Sequence, residues 1–172
     1  MSLFRRAKRI FESRKEKKME RKTIHNLEVD DIVSYYEQDF IVKGKIEYRE
    51  GGDEWFEYRL VDGEDVRWLG IEEDDGWEIT MYEEARMRVP RPVPDEISYE
   101  GSTYELEEHG VARAILTGET GNRKTLECEY WDFEDEDEDL LSIERWGGEY
   151  EVCAGKYIEE HEMEIYPGTP SI

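Results

Sequence analysis

The chain has 172 residues, with 46 Asp and Glu against 23 Lys and Arg, and so carries a formal charge of -23. A hydrophobic fraction of 37% with 12% aromatics excludes an acidic disordered chain, which would be poor in aromatic and β-branched residues. Two cysteines, Cys128 and Cys153, exclude a disulfide-dense secreted scaffold. No apolar run is long enough for a membrane span or a signal peptide, so the expectation is a cytoplasmic protein with reduced thiols packed on strands.

The charge is segregated along the chain. Residues 1–22 hold ten Lys and Arg against three Glu, a balance of +7, which leaves -30 on the remainder. Leu3, Phe4, Ala7, Ile10 and Phe11 follow the spacing of one helix face, while Arg5, Arg6, Lys8, Arg9, Arg14, Lys15, Lys17 and Lys18 supply the charge around and beyond it. The pattern predicts a basic amphipathic α-helix within an arm over 1–24. On an anionic bilayer, Leu3, Phe4, Ile10 and Phe11 would insert and the cations would contact phosphates, each contributing about 1 kcal/mol. The same stripe also suits packing on the body or on a partner protein. Direct binding to nucleic acid is disfavoured by the acidic body.

Beyond the arm, period-two alternation and frequent turns predict short β-strands. Candidates in the first half are Ile32–Tyr36, Phe40–Tyr48, Trp55–Val61, Val66–Glu72 and Trp77–Tyr82, separated by Gly51-Gly52, Asp62-Gly63 and Asp75-Gly76. Pro90, Pro92 and Pro94 make residues 87–96 a linker or an edge crossing. The order then repeats. Ser34-Tyr35 with Phe40 and Val42 matches Ser98-Tyr99 with Tyr104 and Leu106 at an offset of 64, and Leu69, Ile71 and Glu72 match Leu141, Ile143 and Glu144 at 72. The eight-residue gain is expected in the acidic stretch Glu134–Asp139. The reading is an all-β fold of two tandem, similar antiparallel β units, barrel- or sandwich-like with about ten or more strands, over 25–86 and 97–166, with a tail at 167–172. Its expected core contains Phe40, Phe56, Trp68, Ile79, Tyr104, Ile115, Tyr130, Ile143 and Val152.

A series of words in fixed order carries a family resemblance. It runs Leu27-Glu28-Val29-Asp30-Asp31-Ile32-Val33, Phe40-Ile41-Val42-Lys43-Gly44, Trp55-Phe56-Glu57-Tyr58-Arg59-Leu60 and Arg67-Trp68-Leu69 with Ile71-Glu72. It continues through Tyr99-Glu100-Gly101-Ser102-Thr103-Tyr104, Tyr130-Trp131-Asp132-Phe133, Leu141-Ser142-Ile143-Glu144-Arg145-Trp146 and Gly155-Lys156-Tyr157-Ile158. Over roughly residues 25–166 the chain resembles the domain of unknown function 4178 (DUF4178) family of bacterial and archaeal proteins. The resemblance implies no assigned activity. It implies an association with phage-shock-protein-A-like membrane-stress proteins and with polyamine-synthase-like proteins, which suits an arm built for an anionic membrane.

Signatures of chemistry are sparse. His25, His109 and His161 lie in separate segments, and Glu160-His161-Glu162 reads as surface charge. A zinc site on Cys128 and Cys153 lacks the usual ligand spacing, and Glu134–Asp139 lacks that of a calcium loop. Nucleotide-loop and serine-hydrolase motifs are missing from the sequence. Trp68, Trp77, Trp131 and Trp146 suit the core or a pocket between the halves, and Trp55 and Trp146, beside charged turns, suit an exposed contact. The function expected is therefore a non-enzymatic accessory or interaction module without a cofactor, peripheral to the inner membrane face. The alternatives are a binding domain for polyamines, cations or a basic protein, and an acidic mimic of nucleic acid.

Overall fold

The computed structural model describes residues 21–168. Eleven strands follow the alternation of the sequence: β1 (Ile32–Tyr35), β2 (Gln38–Glu50), β3 (Asp53–Asp62), β4 (Asp65–Glu73), β5 (Trp77–Glu84), β6 (Glu96–Tyr99), β7 (Ser102–Gly118), β8 (Glu127–Glu134), β9 (Asp139–Trp146), β10 (Glu149–Tyr157) and β11 (Met163–Tyr166). They form one antiparallel sheet in the order β11-β1-β2-β3-β4-β5-β10-β9-β8-β7-β6, and a further β2–β7 pairing closes the eight strands from β2 to β7 into a barrel.

This corrects the expectation of two tandem units. The halves share one barrel because the open edges of each are completed by the other: β5 pairs with β10, and β2 with β7. Period-two patterning assigns faces to residues and says nothing about which strand lies beside which. The helix expected within 1–24 lies in large part outside the described residues; Arg21–Ile24 are non-helical, and Ile24 and Leu27 are buried against the barrel wall. Among the described residues, the helical content is a single 3₁₀ turn at Glu160–Glu162.

Closure uses glycine. Gly44 stands directly opposite Gly118 on the β2–β7 seam. A side chain on Gly44 would run into the Glu119 carbonyl, and Gly118 has a φ of 73°, in the left-handed region. The long strands β2 and β7 each carry a register shift, between Val42 and Gly44 and between Leu106 and Glu108, at positions 64 residues apart. Each shift bends its strand, whose first part packs in an outer layer while its second part enters the barrel wall.

Three apolar clusters result. One is enclosed by the barrel and draws on all eight strands, with Ile46, Tyr48, Trp68, Ala112, Ala114, Cys128, Tyr130, Trp146 and Cys153 at its centre. A second lies outside β3–β5 beneath β1 and the first part of β2; a third lies outside β8–β10 beneath β6 and Val89 and Val93 of the proline-rich segment. Of the expected core, Phe40, Trp68, Ile79, Tyr104, Tyr130, Ile143 and Val152 are buried. Phe56 is half-buried and Ile115 is 43% exposed, because Ala112, Ala114 and Leu116 take the barrel-facing positions of β7 and turn Ile115 outward. The extra length of the second half is also placed differently. The largest part is the connection 119–126, which stands where the first half has the turn Gly51-Gly52, and the acidic stretch makes only the short β8–β9 turn.

The β1–β2 and β6–β7 hairpins turn at Tyr36-Glu37 and at Glu100-Gly101, with φ values of 46°, 63°, 48° and 82°. Positive φ at both central positions defines a type I′ turn, which favours glycine at the second. Glu37 therefore bears a strain that Gly101 avoids. Replacing Glu37 with Gly is expected to raise stability by up to about 1 kcal/mol, read as a higher midpoint in urea unfolding with an unchanged slope.

Candidate functional site

Inside the barrel, polar side chains from several strands meet one guanidinium. Arg123, in the connection 119–126, is 2% exposed. Its Nε donates to Glu151 at 2.9 Å and lies 3.2 Å from Glu144, and its Nη1 pairs with Glu57 and lies 3.4 Å from the Tyr48 hydroxyl. The guanidinium carbon sits 3.7 Å from the Trp68 ring centroid, a stacked cation–π contact. Locally the sequence bends to allow this: the Thr120 hydroxyl donates to the Arg123 carbonyl at 2.5 Å, and Gly121 has a φ of 67°. Glu144 also accepts the Trp146 indole N–H at 2.9 Å.

Three carboxylates around one cation leave excess negative charge in a poorly solvated space. Burial, aided by the charges of Glu57 and Glu151, drives the Glu144 carboxyl well above its ordinary range against the opposing pull of Arg123. Arg123 keeps its charge, since its acidic surroundings outweigh the cost of burial. Both thiols face this interior and are buried. Burial first, then the surrounding carboxylates, raises both well above their ordinary values and makes them poor nucleophiles.

Toward one end of the barrel the interior opens into a cavity of about 160 Å³. Its walls are Trp55, Tyr82, Tyr130 and Tyr157, and its acids are Glu57, Glu72, Glu78, Glu107, Glu108, Asp132 and Glu134. Burial pushes Glu72 up to about 7, with Glu78 and Glu108 the largest charge contributions and Asp74 and Asp53 adding to them. Asp132 also reaches about 7 through burial, although the Ser142 hydroxyl donates to it at 2.8 Å. Glu78 is raised for the same reason, with Asp74, Glu134 and Glu108 facing it. Among the described residues, no Lys or Arg pairs with Glu72, Glu78, Glu107, Glu108, Asp132 or Glu134. Nor does any group of three or more His, Cys, Asp and Glu among those residues have the geometry of a metal site. A larger recess of about 1400 Å³ lies at the opposite end, but there Arg59, Arg86, Arg88 and Arg91 stand among the acids Glu64, Asp65, Glu83, Glu84, Glu149 and Glu151 and offset most of their charge.

The membrane-facing residues read from the sequence, Leu3, Phe4, Arg5, Arg6, Lys8, Arg9, Ile10, Phe11, Arg14, Lys15, Lys17 and Lys18, lie outside the described residues. Of the tryptophans, Trp68 and Trp146 line the barrel interior. Trp146 is 3% exposed, which corrects its expected place on the surface; it shares the inward face of β9 with Glu144. Trp55 reaches the acidic cavity and stacks on Tyr48 with centroids 5.2 Å apart. Trp77 is exposed with His25 edge-on at 4.4 Å, while Trp131 packs in the third cluster beneath a stacked His109 at 4.9 Å. Sequence reasoning missed Arg123 and the acids of the cavity. The available signal was the lengthened connection between β7 and β8.

The fold is thus an antiparallel barrel with a carboxylate-rich interior, plugged by an arginine toward one end and hollow toward the other. The model of the family described as "Domain of unknown function (DUF4178)" matches residues 28–160, and the chain belongs to this family. Similar proteins include uncharacterized protein Rv2597 of Mycobacterium tuberculosis and uncharacterized protein Mb2628 of Mycobacterium bovis. Each is 33% identical over 147 residues, covering 81% of this chain and 71% of the relative. No solved structure matches the chain. Among the described residues, no helix is long and apolar enough to cross a membrane.

Removing the guanidinium leaves Glu57, Glu144 and Glu151 buried without their cation. Arg123→Met is expected to lower stability by about 3–5 kcal/mol at pH 8. The deficit shrinks on acidification, because carboxyls whose folded-state affinity for protons is raised contribute best below their unfolded values and lose that contribution as pH rises. Urea unfolding of both proteins from pH 5 to pH 8 measures it.

Proposed function

We propose that this chain is a non-catalytic binding module whose barrel cavity takes an organic cation, with polyamines the leading class. One observation carries the reading: a cavity walled by aromatic rings whose acids other than Glu57, namely Glu72, Glu78, Glu107, Glu108, Asp132 and Glu134, have no Lys or Arg partner among the described residues. Aromatic faces attract alkylammonium groups, and Glu72, Asp132 and Glu134, which are only partly exposed, hold them more strongly than surface acids do. The acids line a cavity without forming a metal-holding group among the described residues, which suits an extended cation with several charges better than a compact metal ion. The association with polyamine-synthase-like proteins that the family resemblance implies points the same way. The matching hairpin turns and register shifts 64 residues apart support an origin of the barrel in a duplicated strand unit.

A second element belongs to the same reading. The +7 arm at residues 1–22 attaches the module to an anionic bilayer and positions it beside membrane-stress partners. The segregation of charge favours this, since a body of -30 would otherwise be repelled from such a surface.

Two measurements test the pair. Calorimetry with spermidine at moderate salt is expected to saturate at low stoichiometry and to tighten between pH 6 and pH 8. Glu72 and Asp132, held near 7, lose their protons over that interval and gain charge to offer the ligand. Unsaturable, pH-independent heats would leave nothing but diffuse attraction to an acidic surface. Separately, sedimentation with vesicles containing anionic lipid is expected to retain the full chain at low salt. Substitution of Arg5, Arg6, Lys8 and Arg9 by Gln is expected to release it; equal retention of that variant removes the arm from the account.

A further inference from the structure

The barrel contains two matching rows of side chains, and only one of them is filled from within the described chain. On β3, β4 and β5, Trp55 stands opposite Glu72, and Glu72 opposite Glu78. On β8, β9 and β10, Tyr130 stands opposite Glu144, and Glu144 opposite Glu151. Each row is an aromatic residue followed by two glutamates across three neighbouring strands. In the second row the glutamate pair receives the guanidinium of Arg123, which also rests on the face of an aromatic ring, Trp68.

Arg123 reaches its row because the connection between β7 and β8 runs through residues 119–126 and folds inward. The corresponding connection between β2 and β3 is Gly51-Gly52, both exposed, with no side chain to send into the barrel. The first row instead borders the 160 Å³ cavity. That volume is comparable to the roughly 150 Å³ known to accept a benzene ring, so a planar guanidinium with a short aliphatic stem fits. The chain thus displays, in its own second half, a guanidinium held by the glutamate pair of such a row, with its flat face on a ring from outside the row.

We propose that Trp55, Glu72 and Glu78 form a seat for one guanidinium or primary ammonium group on a slender aliphatic chain, gripped by the two glutamates as Glu144 and Glu151 grip Arg123 in the opposite row. The assignment rests on the cation-binding reading above and specifies its headgroup and its residues. Glu72 and Glu78 accept its hydrogen bonds in a charge-assisted pair, and the rings of the cavity wall cover its flat face. Asp132 and Glu134 lie further along the cavity, where a second positive charge on the same ligand would sit. The headgroup has two sources, a free amine or an arginine or lysine of the chain's own arm, and these are separable.

Calorimetry with agmatine, which carries a guanidinium and a primary ammonium, tests the seat on the full chain at pH 8. Binding of one equivalent is expected, weakened roughly tenfold or more by Glu72→Gln and by Glu78→Gln and unchanged by the control Glu96→Gln on β6. Both substitutions remove like charge from the cavity, so thermal melts should show each variant folded and no less stable than the parent. Equal agmatine affinity in the parent and in the Glu72→Gln/Glu78→Gln double variant overturns the seat while leaving cation binding elsewhere intact. Absence of saturable heat with both agmatine and spermidine overturns the cation-binding reading itself. If replacing Arg5, Arg6, Lys8 and Arg9 with Gln tightens agmatine binding, and the double variant abolishes that gain, the arm is a resident competitor for the same seat.

Discussion

A single guanidinium held among three carboxylates inside a closed barrel is the contact on which the architecture turns. Glu57, Glu144 and Glu151 come from β3, β9 and β10, and Arg123 comes from a connection outside the barrel wall. Their meeting point is therefore a tie between the two halves of the chain. Buried ion pairs are costly to desolvate, and here the cost is offset by the number of partners, the Tyr48 and Trp146 hydrogen bonds to the carboxylates, and the stacked face of Trp68. The same tie closes the barrel toward one end and leaves the other hollow.

The two ends show two ways of placing acid in a protein interior. Around Arg123 the carboxylates share a cation supplied by the chain itself. In the cavity, burial and neighbouring acids raise Glu72 and Asp132 to about 7, so protons offset part of the charge there. Carboxyls that hold protons near neutrality relieve part of the like-charge repulsion among the acids of the cavity. Elsewhere the chain pairs acids at its surface with exposed arginines, as Arg145 does with Glu129, where solvent makes such contacts weak.

The strands of the first half were legible to within a few residues, since buried Val33, Tyr35, Phe40 and Val42 alternate with less buried neighbours as a half-buried sheet must. Strand adjacency was not legible. The β2–β7 and β5–β10 pairings depend on backbone hydrogen bonds, which leave no period in the sequence. The acids of the cavity and of the Arg123 cluster were equally hidden, because Glu72, Glu78 and Glu144 look like the outward positions of any charged strand. Their inward direction follows from closure, which gives β3–β5 and β8–β10 a barrel lumen on one side and an outer apolar cluster on the other. Arg123 sits in a Gly-Asn-Arg-Lys-Thr segment that has the composition of a solvated loop. Trp146 was misread for a related reason: the glycines that follow it mark a turn, but its own side chain points inward.

The pairing of β1 with β11 joins Ile32 to Tyr166, nearly the whole described length of the chain. Contacts of such long sequence separation form late and slowly, because the entropy of closing the intervening loop must be met before they contribute. During synthesis the first half emerges with β2 and β5 lacking their partners, and neither edge is satisfied until β7 and β10 have left the ribosome. The high negative charge then acts as a kinetic safeguard, since nascent copies with bare strand edges repel one another through the interval before each can complete itself.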